Sequence, residues 1–547
     1  MSRTAGTSSV RKYGKPIRKT RAEMLFAELP GSPPQATVVI VISDDEDEEE
    51  EDAISKVAEQ LGSTALRDDS EPPLAAKERE GDDADYGKSL TPALDSAITR
   101  LSLDESGSGT SCNDSVVIID SDQDDDAEAE DDDDDDDEEE EEASLRILAW
   151  DDVCPPGDRI EKIAEASYAE VYRITNERGT SIIKVVRLES PIKAQTKAQA
   201  RSGLVDEEPH SEADLQGELL ISEWLADIPG FVVYKERYVV RGRAPKALLE
   251  THQVFHRRMK RKDPDRLQYY PSPSRYLDET RFLVVELGDA GTALEDFSCT
   301  SAGQLWDIFL HTAIALARAE ELIRFEHRDL HEGNLCIRQA RPAKPKPIDD
   351  DDSPCQFGYS GLEITILDYG LSRAQQQQEE DSSTSSPPPP PPPIAYDLEK
   401  DLSIFTSTHA PQCRVYRHMR SFLLRHDRVH LAPEHHHTPY DLDVLDRPLS
   451  WTPHYPYTNV LWLAYIYRYI IEHFTGDKAE LLAFRKMTRE MARHLDPEAP
   501  RRWLSFGSAV DVVRFVVEAG WVTEAQLMED DDERGRGRGG NESIIAG

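Results

Sequence analysis

Cysteine is scarce in this chain and long apolar runs are missing, and each shortage removes a class of protein. The six cysteines among 547 residues (Cys112, Cys154, Cys299, Cys336, Cys355 and Cys413) stand far apart with no CxxC pair. That argues against a zinc site or a disulfide framework and fits a reducing compartment. The most apolar stretch, 460–471, contains Arg468 and is too short to span a bilayer, and the N-terminus MSRTAGTSSV has no apolar segment behind it. Neither a membrane span nor a secretory signal is expected, and the protein reads as soluble and intracellular. Positive charge is also short: 107 acidic side chains face 63 basic ones, and residues 101–143 hold no Lys or Arg. Direct sequence-specific DNA binding is therefore not expected, and the partners should be basic.

What is present divides unevenly. Residues 1–143 carry 43 acids and 13 bases, whereas the other 404 residues carry 64 and 50. The first segment cannot bury enough apolar surface to offset its chain entropy and self-repulsion, so a disordered acidic region is predicted over 1–143. It begins with a basic patch, Arg11, Lys12, Lys15, Arg18, Lys19 and Arg21, which is either a nuclear localisation signal or a solvated basic tail. One internal repeat follows. Val38, Val39, Ile40, Val41 and Ile42 run into Ser43 and acids, and Val116, Val117, Ile118 and Ile119 run into Asp120, Ser121 and the long acid tract. β-branched runs with no core of their own can add to another protein's sheet edge while the acids face a basic rim, and the pattern resembles SUMO-interacting motifs. The alternative is an aggregation-prone run kept soluble by acidic neighbours.

From Arg146 onward the apolar residues become periodic. Segments 160–173, 181–188, 231–240 and 281–287 read as strands and 214–226 as a helix. Beyond Gly291 the pattern is helical over 302–325, 415–424, 459–474, 478–494 and 508–519. A strand-rich part followed by a helix-rich part predicts an α+β, two-lobed architecture, with a β-rich lobe over 144–287 and an α-helical lobe over 288–527. Polar or low-complexity stretches at 189–212, 339–356 and 374–393 read as surface insertions, the last with seven prolines that form either a polyproline ligand or a spacer. The RG-rich end, 528–547, reads as a disordered tail, either an RNA-touching or methylated segment or a spacer. His435, His436 and His437 read as a solvated loop, and Trp462 as core.

The chemistry is concentrated in His327-Arg328-Asp329-Leu330-His331-Glu332-Gly333-Asn334 and, later, Ile364-Thr365-Ile366-Leu367-Asp368-Tyr369-Gly370. Phosphoryl transfer from a metal nucleotide needs one carboxylate to orient an acceptor hydroxyl and take its proton, and an amide plus a second carboxylate to hold magnesium against the phosphates. Asp329 fits the first role, Asn334 and Asp368 the second, and the pattern resembles the protein-kinase catalytic loop and metal motif. Upstream, Lys184 in Ile182-Ile183-Lys184-Val185-Val186 looks like the phosphate-anchoring lysine, and Glu218 is placed on the next helix to pair with it. The stretch 282–291 matches a hinge, with Glu286 in it, Leu287 as gatekeeper, and the backbone of Gly288 and Ala290 bonding adenine.

The glycine-rich loop departs from the kinase pattern. Ahead of Val171 the chain reads Ala164-Glu165-Ala166-Ser167-Tyr168-Ala169, with alanine at each glycine position. Alanine still lets backbone amides approach phosphate but resists positive φ, so a stiffer lid is expected, with Ser167 or its amide bonding phosphate. Glu165 is unfavourable beside phosphate unless it faces solvent or a basic group.

With YDLEKDLSIF, CRVYRHMR, DYGLSR and TNVLWLAYIYR, residues 145–525 resemble the haspin kinases in a fungal-type form. The resemblance implies a monomeric serine/threonine kinase using ATP and Mg2+. It would phosphorylate a threonine near the N-terminus of histone H3 during mitosis, in the nucleus on chromosomes, with the cytoplasm as a second location. It also implies activity without phosphorylation of the activation loop. Haspins carry Asp where Arg414 stands, so Arg414 is expected to remove a support of the catalytic loop. Two other functions stay open: a pseudokinase scaffold binding SUMO and chromatin partners, and a small-molecule kinase.

Overall fold

The computed structural model describes residues 145–545 apart from 167, 202–203, 205–207, 265–267, 347–354, 378–390, 409, 438–448 and 528–541. The basic patch, both β-branched repeats and the acid tract lie outside the described residues, as do Ser167, the prolines 387–390 and the RG repeats.

The first lobe is a six-stranded sheet. Its elements are β1 (Ile147–Ala149), a short α1 (Trp150–Val153), β2 (Arg159–Glu165), β3 (Glu170–Asn176), β4 (Gly179–Arg187), α2 (Lys197–Arg201), α3 (Glu212–Leu225), β5 (Tyr234–Arg241), α4 (Lys246–Lys262) and β6 (Arg281–Leu287). The spatial order is β1-β5-β6-β4-β3-β2, antiparallel throughout except for β1 against β5. Strand alternation sends Tyr172, Ile174, Ile183, Tyr238 and Val284 to one buried face and Val186, Leu283 and Val285 to the other.

Two features of this lobe differ from expectation. The stretch 189–212 is not a loose insertion, because Ile192 bridges to Tyr276, Leu204 is buried against a bridge to Gln268, and α2 forms within it. Helix α4 was masked in the sequence by its basic residues. It buries only Leu248, His252 and Phe255, a stripe at i, i+4, i+7 with a histidine in the middle.

The second lobe is helical. After β7 (Thr292–Ala293) comes α5 (Ala302–Ile323), capped by Ser301 and buried along nearly its whole length. The hairpin β8 (Leu335–Gln339) and β9 (Leu362–Ile366) and the pair β10 (Arg373–Ala374) and β11 (Ile394–Ala395) follow. The rest is α6 (Ser403–Thr406), α7 (Gln412–Arg425), α8 (Tyr457–Glu472), α9 (Lys478–Met487), α10 (Arg489–Leu495) and α11 (Ala509–Glu518). The single helix expected over 478–494 is broken at Thr488, whose hydroxyl donates back to Phe484 O.

Other corrections concern segments expected to be loose. Cys355 and Phe357, at the end of the 339–356 stretch, are buried, and Gln356 N donates to Trp521 O. His436 is buried rather than solvated, with Nδ1 beside Arg420 Nη1. Residues 543–545 of the tail pack into the first lobe's core, Ile544 and Ile545 being apolar enough to be drawn there. Among the described residues, no helix is long and apolar enough to cross a membrane.

Candidate active site

The loop following α5 is positioned by buried polar bonds. Helix α5 stops at Arg324 in the left-handed region (φ 47°), and Glu326 then exchanges backbone hydrogen bonds with Arg373. His327 is fully buried. Its Nε2 lies 2.9 Å from Leu367 O, and its Nδ1 accepts from Asp329 N at 3.2 Å. A carbonyl cannot donate, so the ring carries its proton on Nε2 and is neutral, in line with burial pushing its pKa down to about 4. Arg328 adopts φ 65°, sends Nε to Glu326 at 3.1 Å and Nη2 to Trp451 O at 2.6 Å, and is itself buried.

Asp329 is held from two sides. Tyr416 on α7 donates its hydroxyl to Asp329 Oδ1, and Asn334 Nδ2 donates to Asp329 O at 2.9 Å. With Nδ2 engaged, the Asn334 amide presents its oxygen as the available ligand. Antiparallel pairing of Leu335 with Ile366 then places Leu367 N on Asn334 O at 2.9 Å, which sets Asp368 beside Asn334. Asp368 has φ 62°, and its Oδ1 accepts from Gly370 N at 3.3 Å. Burial opposes its charge, but Lys184, the Gly370 N–H and the neighbouring histidines outweigh it and hold the carboxyl below the usual range. Tyr369 seats this turn, its ring packing near Phe231 and Phe325 and its hydroxyl donating to Ile366 O.

From the first lobe, Lys184 on β4 meets Glu218 on α3 at 2.6 Å. Burial pushes Glu218 up, reinforced by Asp368, and pushes Lys184 down, opposed by Asp368. The lysine also donates to Tyr168 Oη at 3.1 Å and stands over the Tyr168 ring, 4.5 Å from its centroid. The structure thus brings Lys184, Glu218, Asn334, Asp329 and Asp368 to one cleft.

The loop and hinge are placed differently from the expectation in several details. Ala164 pairs with Val171 in the β2–β3 ladder, and Ala166 N donates to Ala169 O, closing a tight turn with alanine at both ends. Glu165 turns inward, where Lys162 donates to it at 2.7 Å and His256 lies at 3.3 Å. Burial works against its charge, but these partners hold the carboxyl far below the usual range. Lys162 also donates to Glu170, whose pKa is lowered to about 2 despite burial, by Lys162 and His252. The residue opposite Lys184 in the ladder is Val285, while Leu287 faces Ile182 and Tyr234. Gly288 spends its N–H on Val233 O at 2.8 Å and keeps only its carbonyl for a ligand. The Glu286 carboxylate faces the far side of the sheet, taking hydrogen bonds from Ser181 Oγ at 2.6 Å and Ile544 N at 2.9 Å, so only its main chain serves the cleft.

Two supporting residues escaped the sequence reading. Asn459 on α8 accepts from His327 N at 3.0 Å and donates to Glu320 Oε1 and Phe325 O, both at 2.9 Å. A lone asparagine among apolar helix neighbours was the available signal. Arg414, by contrast, is partly exposed and pairs with Glu498, away from the loop. The loop support expected at that position comes from Asn459 and Tyr416.

The donor set suits a hard cation. Among the described residues, no cluster of three or more His, Cys, Asp or Glu is arranged to hold a metal. An ionised Asp368 beside the Asn334 amide is a partial oxygen set of the kind that would hold a divalent cation together with water and phosphate.

A family model described as "Haspin like kinase domain" matches residues 130–509. The chain is 26% identical over 397 residues to the serine/threonine-protein kinase haspin homolog hrk1 of Schizosaccharomyces pombe, the match covering 68% of each chain. It is 25% identical over 358 residues to serine/threonine-protein kinase haspin of Mus musculus, covering 65% of this chain and 41% of the mouse protein. The Drosophila melanogaster haspin homolog is 24% identical over 319 residues, covering 56% of this chain and 47% of the fly protein. The chain therefore spans less than half the length of the mouse and fly relatives.

Proposed function

The chain belongs to the haspin-like kinase family, whose named relatives are serine/threonine protein kinases, and on that premise we propose that it transfers the terminal phosphoryl group of Mg-ATP to a threonine of the basic histone H3 tail. The observation that carries this reading is the convergence of Asp329, Asn334 and Asp368 through the Asn334 Nδ2 to Asp329 O and Leu367 N to Asn334 O bonds. Magnesium held by Asn334 and Asp368 would neutralise phosphate charge. Lys184 anchors phosphate oxygens and is itself aimed by Glu218. Asp329 orients the acceptor hydroxyl and accepts its proton, while the neutral His327 and the buried Arg328 keep the loop in place.

A basic substrate is supported by the acids beside the catalytic loop. Partial burial raises the Glu295 carboxyl, and the neighbouring Asp296 and Glu332 charges raise it further, against His331. A lysine- or arginine-rich peptide would relieve that repulsion. Nuclear, chromosome-associated action in mitosis and SUMO binding through 38–42 and 116–119 belong to the same proposal.

The test is turnover of radiolabelled ATP with a panel of histone tails and free amino alcohols, wild type beside Asp329→Ala. Label on a threonine of the H3 tail, abolished in the variant, is the expected result. Label on amino alcohols alone would replace the reading with a small-molecule kinase. A pseudokinase scaffold is favoured by one observation, the Tyr168 hydroxyl held on Lys184 beneath an alanine loop. Nucleotide binding with no transfer to any acceptor would establish it.

A further inference from the structure

The far side of the hinge strand is occupied by the chain's own tail. Ile544 and Ile545 are 5% and 2% exposed and belong to the core that contains Tyr172, Ile183 and Phe282. The main chain around them is gripped as firmly. Asn176 Nδ2 donates to Ile544 O at 3.1 Å, and Arg178 Nη2 donates to Ser543 O at 2.9 Å. Ser543 Oγ donates to Glu286 Oε2 at 2.6 Å, and Ile544 N donates to Glu286 Oε1 at 2.9 Å.

Glu286 is fully buried, and a buried carboxylate is costly unless its lone pairs are met. Within the sheet it has Ser181 Oγ, with Lys235 Nζ at 3.8 Å; the tail supplies the other two donors. Two apolar side chains, two donors matched to one carboxylate and two carbonyls matched to Asn176 and Arg178 make a built site rather than incidental contact. We propose that the back of the first lobe is a docking groove for a Ser-Ile-Ile segment, filled by the chain's own residues 543–545, and that this clip steadies the hinge strand.

Leu527, the last described residue before the gap, is buried in the second lobe, its carbonyl accepting from Arg318 on α5. The sixteen steps from there to Ser543 reach about 50 Å at full extension. The clip therefore ties the end of the second lobe to the strand that leads into Leu287 and Gly288.

The clip involves neither the acceptor nor turnover, so stability and amide exchange report on it separately from phosphoryl transfer. In the full chain, Ile544→Asp with Ile545→Asp is expected to lower the melting temperature by about 5 °C. Amide exchange in β4 and β6 should rise about tenfold, while the helices of the second lobe stay as protected as before. The heptapeptide Asn-Glu-Ser-Ile-Ile-Ala-Gly, added to this variant, should restore both saturably, and a peptide with Asp at both isoleucines should not. If the double variant does not fold, a full chain with a protease site placed in 528–541, cut after purification and diluted, is measured the same way. Unchanged melting and exchange in either form would overturn the clip. A full chain that runs as a dimer and exchanges the cut segment between copies would overturn its intramolecular assignment.

Discussion

The hydroxyl of Tyr416 donates to the carboxylate of Asp329, joining α7 to the catalytic loop. The phenol is buried, its ring 5.5 Å from Trp462 on α8, and burial with the Asp329 charge drives its pKa well up, so it stays a neutral donor. A hydrogen bond to a charged group contributes roughly 1.5–3 kcal/mol, of which positioning uses a part. Tyr416→Phe is expected to lower kcat about tenfold with KM for ATP little changed. Steady-state kinetics at saturating peptide checks this, and a matched fall in thermal stability with unchanged kcat would assign Tyr416 to packing alone.

Asp329→Ala should cost more, about 10²- to 10⁴-fold in turnover, the range for loss of a positioned general base. A fall of less than threefold would reject the role. Its nucleotide affinity should hold, because Lys184, Asn334 and Asp368 are untouched; titration with a fluorescent ATP analogue reports this.

Arg414 and Asn459 invite opposite outcomes. The Arg414–Glu498 pair is partly exposed, where ion pairs contribute about 0–1 kcal/mol, so Arg414→Ala should leave activity and stability near wild type. Asn459 is fully buried and makes three hydrogen bonds. Asn459→Ala removes the acceptor of the His327 N–H and one of the three donors to the buried Glu320 carboxyl, which keeps Ala509 N and Val510 N, and should destabilise by about 2–3 kcal/mol while lowering kcat. Urea denaturation and turnover measured side by side distinguish the two.

Lys162 lies fully buried between Glu165 and Glu170. Removing one member of such a cluster leaves charges without a partner, so Lys162→Met should destabilise by about 3–5 kcal/mol. Because the cluster anchors both strands flanking the alanine loop, exchange of the β2 and β3 amides should rise with it.

The buried histidines should add a fall of stability with acid in a defined window, opposed by Glu320, whose pKa burial raises to about 8 and whose contribution is lost as pH rises from about 4.5 toward 8. His327, His436 and His454 have pKa values lowered from 6.5 to about 4, each chiefly by burial, and His418 to about 3. The folded state binds fewer protons than the unfolded state between these limits, so their contribution is complete above about pH 6.5 and is lost as pH falls toward 4. Glu170, lowered to about 2, adds the same sign from about 4.5 downward. Melting temperature against pH between 7 and 4 checks the slope.

The sequence disclosed the catalytic loop because its chemistry demands fixed residue types at short spacing, and Asp329, Asn334 and Asp368 need no long-range information to be recognised. Lys184 and Glu218 were legible from strand and helix periodicity in order. Position within a face was less so: Leu287 and Val285 share one side of a strand, and only the register against β4 shows which faces Lys184. Helix α4 was hidden by charge, since Arg257, Arg258, Lys260, Arg261 and Lys262 crowd its last turns while three residues carry its burial. The inward turn of Glu165 depends on Lys162 and on His256 ninety-one positions away, a pairing no local pattern contains. Ser543 to Ile545 were too few to register as structure beside a run of Arg and Gly.

Arg328 and Asp368, at φ 65° and 62°, hold backbone shapes that side chains branched at Cβ resist by about 1–2 kcal/mol. Valine, isoleucine or threonine at either position would meet a steric toll before any question of charge arose. The repertoire of neutral drift is therefore narrow at the two sites where the chain reverses into its chemistry. Asparagine is the one uncharged replacement whose contour suits Asp368, and it would keep the turn while surrendering the anion.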